Sequence, residues 1–220
     1  MKYLWAIATV TCAIFTVDAL QASDALWSLL TVNTFAIAFL ASIVATVLLV
    51  NPYGFAAVLR HELTHSLAAL ATFNRPVALQ VNVDGSGSAE YRGRANWLIY
   101  LAPYFLPLVS LPLLIAGVCG FASGTAYTIL LAIAAGFDLA VAWRQFGYHQ
   151  LDLQYAGGKV VSTILVVSTG IVMWSFILIY GVTGSRSAVV ELAIVAWNRA
   201  LLAGATVVDW SYGGLACLIQ

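Results

Sequence analysis

The residue types best suited to chemistry in this 220-residue chain lie in one short run, His61-Glu-Leu-Thr-His65. Composition alone predicts about 0.0005 copies of such a pattern in a chain with so few histidines and glutamates. On a helix, positions four apart lie on one face, one turn apart, so both imidazoles can reach a single tetrahedral metal. Glu62 then lies beside the metal, where it can polarise a bound water. The run predicts a hydrolytic metal centre; the alternative interpretation is a pair of interfacial histidines beside a solvated glutamate.

The elements that position this run are predicted to be membrane helices. Hydrophobic residues make up 62% of the chain and charged residues 8%, with a net charge of +0 and a mean hydropathy of +0.96. Soluble domains carry about 25% charged residues, so the soluble globular and disordered classes are excluded. The few balanced charges form no basic patch, which argues against a nucleic-acid partner. The cysteines lie in separate apolar stretches, so neither a thiolate zinc site nor a disulfide framework is predicted for Cys12, Cys119 and Cys217.

The apolar runs predict an all-α polytopic membrane protein with about six to seven transmembrane helices. Residues 1–220 are interpreted as a single integral-membrane domain, with a core at 53–158 and flanking helices at 1–50 and 159–220. The predicted helices, followed by one short apolar stretch, are Tyr3–Leu20, Ala25–Val50, Phe55–Phe73, Trp97–Val118, Ala122–Phe146, Val160–Tyr180, Ala188–Ala203 and Thr206–Gln220.

A polar segment, Pro76–Gly93, interrupts this pattern after the helix that carries the histidines. Its residues alternate between apolar and polar around Asp84-Gly85, which is typical of a β-hairpin. Between two membrane helices, such a hairpin must lie at the interface or in a protein-lined cavity, where its edge could bind an extended peptide. The alternative is a plain surface loop.

The span after this segment contains Pro103, Pro107 and Pro112. Three prolines in one span predict a kinked or broken helix, which could open a path to the metal. Aromatic residues near the predicted span ends are explained by an interfacial belt without any ligand; they are Trp97, Tyr100, Tyr104, Trp143 and Tyr148.

The N-terminal run and the positive charges bear on topology. Lys2 before an apolar run could indicate a secretory signal, but Asp18 and the lack of an A-x-A cleavage site favour a retained helix. The positive-inside rule predicts that the hairpin side faces the cytoplasm. With alternating helices, that side carries Arg75, Arg92, Arg94, Arg144 and Lys159, against Lys2 and Arg186 on the other.

The metal motif and the segments immediately after it resemble a known family. His61-Glu-Leu-Thr-His65, then Ser66-Leu-Ala-Ala-Leu-Ala71, then Asp84-Gly-Ser-Gly87 with Tyr91-Arg-Gly93 resemble the M50 metallopeptidases, the site-2 protease family of intramembrane zinc proteases, and most of all their M50B-like bacterial branch. The resemblance covers about Arg60 to Gly157 and includes a helix–hairpin–helix order.

The resemblance implies a particular site and reaction. A Zn²⁺ ion would be held by His61, His65 and a distal aspartate, with Glu62 as general base. The reaction would be hydrolysis of peptide bonds in membrane-embedded or membrane-proximal segments. The partners would then be the lipid bilayer and a single-span substrate, and the location a bacterial inner membrane, with the site opening toward the cytoplasm.

The third ligand is where this chain departs from the family, which typically carries it in Asn-Pro-Asp-Gly or Leu-Asp-Gly. Asp152 lies in a loosened version, Leu151-Asp-Leu-Gln-Tyr-Ala-Gly-Gly158, and is the favoured candidate. The alternative is Asp138, because an unpaired carboxylate within its apolar run would be costly. The aspartate that is not a ligand could orient a histidine instead. His149 is a further candidate ligand, although a lone loop histidine is more often simply exposed.

The sequence leaves two other classes of function open. A membrane adaptor could bind zinc and grip single-span partners without hydrolysing them. A small metal-ion transporter could use the same histidines and aspartates as a relay, although transporters often have repeated halves and the chain shows none. The sequence indicates neither a particular substrate nor an oligomeric state.

Overall fold

The computed structural model describes residues 2–21, 33–146 and 150–198. In chain order the elements are α1 (Lys2–Gln21), α2 (Thr34–Leu49), α3 (Phe55–Ala71), β1 (Arg75–Val81), β2 (Gly87–Arg92), α4 (Trp97–Phe105), α5 (Ser110–Val118), α6 (Thr125–Gln145), α7 (Leu151–Ala156), α8 (Lys159–Thr183) and α9 (186–198). The candidate ligand His149 and the predicted stretch Thr206–Gln220 lie outside the described residues.

The described helices support the predicted all-α membrane fold but not its count of six to seven spans. Three helices are long and apolar enough to cross a membrane: α1 from Tyr3, α6 and α8. A fourth span results if α4 and α5, which are bent by 84° at their break, count as one. Among the described helices, α2 falls short of a span because it has only 16 residues, about 24 Å of helix against a hydrocarbon core of about 30 Å. Similarly, α3 has 17 residues with several ionisable groups among them.

The break between α4 and α5 confirms the broken helix that the prolines predict. The last regular bond before the break runs from the Leu106 amide to the Ala102 carbonyl, at 2.8 Å. Pro107 follows directly and has no N–H to donate. The Pro103 carbonyl, one turn earlier, therefore loses its helical partner, and the chain turns before α5 begins.

The predicted hairpin is also confirmed. β1 and β2 pair antiparallel from Arg75 opposite Arg92 to Val81 opposite Gly87. At the turn, the Asp84 carboxylate accepts bonds from the Ser86 amide at 2.9 Å and from its hydroxyl at 2.6 Å. Both strands pack against α3, so the hairpin lies on the helix that carries the His-Glu-Leu-Thr-His run.

Small residues let the long helices approach one another closely. A Cβ at Gly136 of α6 would lie 2.6 Å from the Cβ of Ser42 in α2, and the Ser42 hydroxyl donates to the Ile133 carbonyl of α6 at 2.7 Å. Close approach of this kind is how membrane helices associate without a hydrophobic driving force. A separate buried cluster holds α4, α7 and α8 together and includes Ile99, Leu153 and Leu165. The elements around the histidines are thus fixed by a packed scaffold.

Candidate metal centre

The structure brings together His61 and His65 of α3 and Asp152 of α7. The Asp152 Oδ2 atom lies 3.6 Å from His61 Nε2 and 3.5 Å from His65 Nε2, and one ligand atom from each residue lies within 4.8 Å of the others. Ligand atoms that share one tetrahedral zinc lie roughly 3.4 Å apart when each is about 2.0–2.1 Å from the metal. Two imidazole nitrogens and a carboxylate oxygen therefore fit a zinc ion in both chemistry and spacing. These are the ligands that the sequence favours, and their role as ligands stays a prediction.

Each histidine is held by a contact at Nδ1 that turns Nε2 toward the other candidate ligands. His65 Nδ1 lies 2.7 Å from the Ile99 carbonyl, which can only accept, so Nδ1 carries a proton and Nε2 is the nitrogen left to bind a metal. His61 Nδ1 lies 3.3 Å from Gln145 Oε1. The Gln145 amide group donates to two backbone carbonyls at 2.9 and 3.3 Å, which fixes its oxygen toward His61. Contacts of this kind orient ligating histidines in metal sites.

Asp152 is held in place by a tyrosine for which the sequence predicts a place in the interfacial belt. The Tyr104 hydroxyl donates to Asp152 Oδ2 at 3.1 Å, and its ring packs edge-on against His61 with centroids 5.4 Å apart. Tyr104 is buried, so the belt interpretation is wrong for this residue. Burial raises the pKa of the Asp152 carboxyl, but hydrogen bonds from the His61 and His65 imidazoles outweigh burial and hold that pKa below its ordinary value. Asp152 is therefore a carboxylate at neutral pH, which is the form that binds a metal.

A cavity of about 490 Å³ opens onto Glu62 and the three candidate ligands. Three alternate residues of β2 also line this cavity: Gly87, Ala89 and Tyr91. A Cβ at Gly87 would lie 2.7 Å from Glu62 Cγ, so glycine is what allows β2 to lie directly against this side chain. Two larger grooves, of about 680 and 770 Å³, are lined mainly by apolar residues and suit contact with lipid rather than hydrolysis.

The hairpin side of the cavity also carries a neutral hydrogen-bonding group. Burial and a hydrogen bond with Tyr100 raise the pKa of Tyr91 to about 12. The Tyr91 phenol therefore keeps its proton over the whole physiological range. It adds a neutral phenol to a cavity that Glu62 and Asp152 also line.

Asp138, the alternative third ligand, is not brought into this group. Its side chain is fully buried and Oδ1 accepts a bond from Arg60 Nε at 2.8 Å. Its other oxygen, Oδ2, accepts from the amides of Val109 and Ser110, both at 2.8 Å, and from the Ser110 hydroxyl at 2.9 Å. Both oxygens are used within the protein, so the geometry favours Asp152 over Asp138 as the ligand.

Sequence reasoning missed four contributors: Arg60, the Ile99 carbonyl, Tyr104 and Gln145. Two weak signals were present. Arg60 is a charge next to the metal motif within a largely apolar helix, and Gln145 is a polar residue that ends a long apolar run. Neither signal names a partner, because the contacts of Arg60 and Gln145 come from residues more than 40 positions away.

The Tyr104→Phe variant is expected to bind zinc about tenfold more weakly, because residues that orient ligands are worth about 10–100-fold in metal affinity. The phenyl ring would still pack on His61, while the hydroxyl on Asp152 would be lost. Competition with a metal chelator on the purified protein measures the change. The matched control is Tyr127→Phe, which removes a hydroxyl bonded to the Leu113 carbonyl on α5. An equal loss of affinity in both variants would contradict a specific role for Tyr104.

The helices and the site define a membrane protein with the donor set of a metallopeptidase. A family model described as Peptidase M50B-like matches residues 33–206. The chain therefore belongs to this family, and the resemblance drawn from the motif is confirmed. M50 peptidases in general depend on zinc, which agrees with the donor set found here. No curated protein and no solved structure matches the chain.

Proposed function

We propose that this protein is an intramembrane zinc metalloendopeptidase that hydrolyses peptide bonds of membrane-embedded or membrane-proximal segments. The observation that carries the proposal is the convergence of His61 Nε2, His65 Nε2 and Asp152 Oδ2 beside Glu62, which lines the same cavity. Membership of a peptidase family supports it. The three ligands would hold Zn²⁺, with Asp152 as the third.

The reaction would divide between the metal and Glu62. Bound zinc supplies a Lewis acid that activates water and polarises a carbonyl. The Glu62 carboxylate takes a proton from the attacking water, whose oxygen forms the new bond to the carbonyl carbon. Glu62 then returns that proton to the nitrogen of the leaving amine as the C–N bond breaks. The ring N–H groups of His61 and His65 remain on Gln145 and Ile99 throughout and keep both imidazoles oriented.

The hairpin offers a place where an unwound segment of the substrate could bind beside the candidate metal centre. A helical substrate hides its carbonyls, so it must unwind locally before hydrolysis. The two-stranded sheet has outer edges to which an extended segment can add, which would satisfy the freed backbone groups of the substrate. The partner is thus a single-span or membrane-proximal protein segment in a lipid bilayer.

The proposed setting is a bacterial inner membrane, with the site open to the cytoplasm. Three arginines of the hairpin and of the loop after it, Arg75, Arg92 and Arg94, are exposed and favour the cytoplasmic side under the positive-inside rule.

Removing zinc tests the proposal directly. The purified protein in proteoliposomes is expected to cleave a single-span model substrate, to lose that activity when a chelator strips the metal, and to recover it when zinc is restored. If the protein captures the substrate in a zinc-dependent way but does not cleave it, its function is that of an adaptor and not of a protease. If zinc enters the liposomes and no substrate is cleaved, its function is that of a metal-ion transporter.

A further inference from the structure

A buried ion pair with one partner on α3, the helix that carries both histidines, has no part in the proposed reaction. Arg60 Nε of α3 lies 2.8 Å from Asp138 Oδ1 of α6, with the two side chains 2% and 0% exposed. Burying a charge pair is costly unless further hydrogen bonds satisfy both groups. The partners of this pair therefore indicate what it does.

The Arg60 guanidinium takes the place of backbone N–H groups that the break in α4–α5 leaves missing. Arg60 Nη1 donates to the Pro103 carbonyl at 3.0 Å and Nη2 donates to the Leu106 carbonyl at 3.1 Å. In a continuous helix the first carbonyl would bind the amide of residue 107, but Pro107 has none. The second would bind the Ser110 amide, which instead donates to Asp138.

Asp138 accepts hydrogen bonds from the polar groups on the other side of the same break. Its Oδ2 atom accepts the amides of Val109 and Ser110 and the Ser110 hydroxyl, where α5 begins, while Oδ1 accepts Arg60. All four partners are donors. Only a carboxylate can face all of them, because an asparagine would turn its NH₂ group toward at least one.

The break held in this way belongs to the helix that orients the candidate ligands. α4 contributes the Ile99 carbonyl to His65 and the Tyr104 hydroxyl to Asp152. Arg60 directly precedes His61 on α3. The ion pair thus ties the end of α4 to the helix that carries both histidines.

We propose that Arg60 and Asp138 are positioning residues of the metal centre. By bridging the α4–α5 break, they fix α4 against α3 and so set the orientation of His65 and Asp152. The inference rests on the proposed function, since it concerns the same zinc centre. It also gives Asp138 a role other than that of a ligand.

The decisive variant removes both charges. A single Arg60→Met change would leave the Asp138 carboxylate buried and unpaired, which is strongly destabilising. The double variant Arg60→Met/Asp138→Leu leaves no unpaired charge and loses the bridge across the break. We expect the double variant to bind zinc about tenfold more weakly, as measured by competition with a chelator. Its kcat should fall by a similar factor, with KM nearly unchanged. Arg60→Lys keeps the charge but not the planar fork, so its zinc affinity should lie between the wild type and the double variant.

The control is Ser42→Ala, which removes a bond between α2 and the Ile133 carbonyl of α6 that involves neither member of the ion pair and no residue of α4. It should lower stability while leaving zinc affinity and kcat unchanged. An equal loss of zinc affinity in Ser42→Ala would mean that the ion pair contributes only to overall stability, and this result would overturn the inference. Wild-type zinc affinity and kcat in either the double variant or Arg60→Lys would overturn it too. A wild-type protein that binds no zinc would instead defeat the proposed function, and the inference with it.

Discussion

The Glu62→Gln variant is expected to hydrolyse peptide bonds about three orders of magnitude more slowly than the wild type while keeping its zinc. A general base contributes roughly 10²–10⁴-fold, and glutamine has the shape of glutamate but cannot take up the proton of the attacking water. The three candidate ligands are untouched, so metal binding should not change. The measurement is the rate of cleavage of a single-span substrate, with zinc content determined on the same preparations.

Glu90→Gln is the matched control, because Glu90 is an exposed glutamate on the hairpin and should retain full activity. Full activity in the Glu62 variant would mean that another group accepts the proton, and the assigned mechanism would fall. Loss of both zinc and activity would show that Glu62 supports the metal rather than the reaction.

The Asp152→Ala variant is expected to lose zinc itself. Residues that merely orient ligands are worth about 10–100-fold in metal affinity, so removing a ligand should cost more than about 100-fold. Wild-type protein purified in detergent should hold one zinc per chain, and Asp152→Ala should hold almost none under the same conditions. Asp138→Ala, measured beside it with excess zinc, should be less stable and bind zinc more weakly, yet still reach one zinc per chain.

Asp84→Ala is the control, since Asp84 lies in the exposed turn of the hairpin and its carboxylate bonds to Ser86. If Asp138→Ala loses the metal and Asp152→Ala keeps it, the assignment of the two aspartates is reversed. A wild-type chain that takes up no zinc would mean that His61 and His65 are not a metal pair.

Local patterns in the sequence determined several features of this protein. The composition indicated a membrane protein, and the four-residue spacing placed His61 and His65 on one face of a helix. Asp84-Gly85 predicted the hairpin, and the prolines predicted the break that ends α4 at Phe105. Each of these features depends on residues within a few positions of one another, so the chain's local geometry is sufficient to predict it.

The structure decided which of the described helices are long enough to cross a bilayer, and it decided the surroundings of the candidate metal centre. Composition does not distinguish a short apolar helix from a helix that spans the bilayer. Only the ends of each helix show whether it is long enough to cross. Asp152 and Asp138 are both aspartates in or near apolar stretches, and the sequence could only rank them. Asp138 is distinguished by Arg60, which is 78 positions away, and Asp152 by Tyr104, which is 48 positions away. Such partners meet only when separate helices pack, because residues so far apart in the chain come within hydrogen-bonding distance only through the fold.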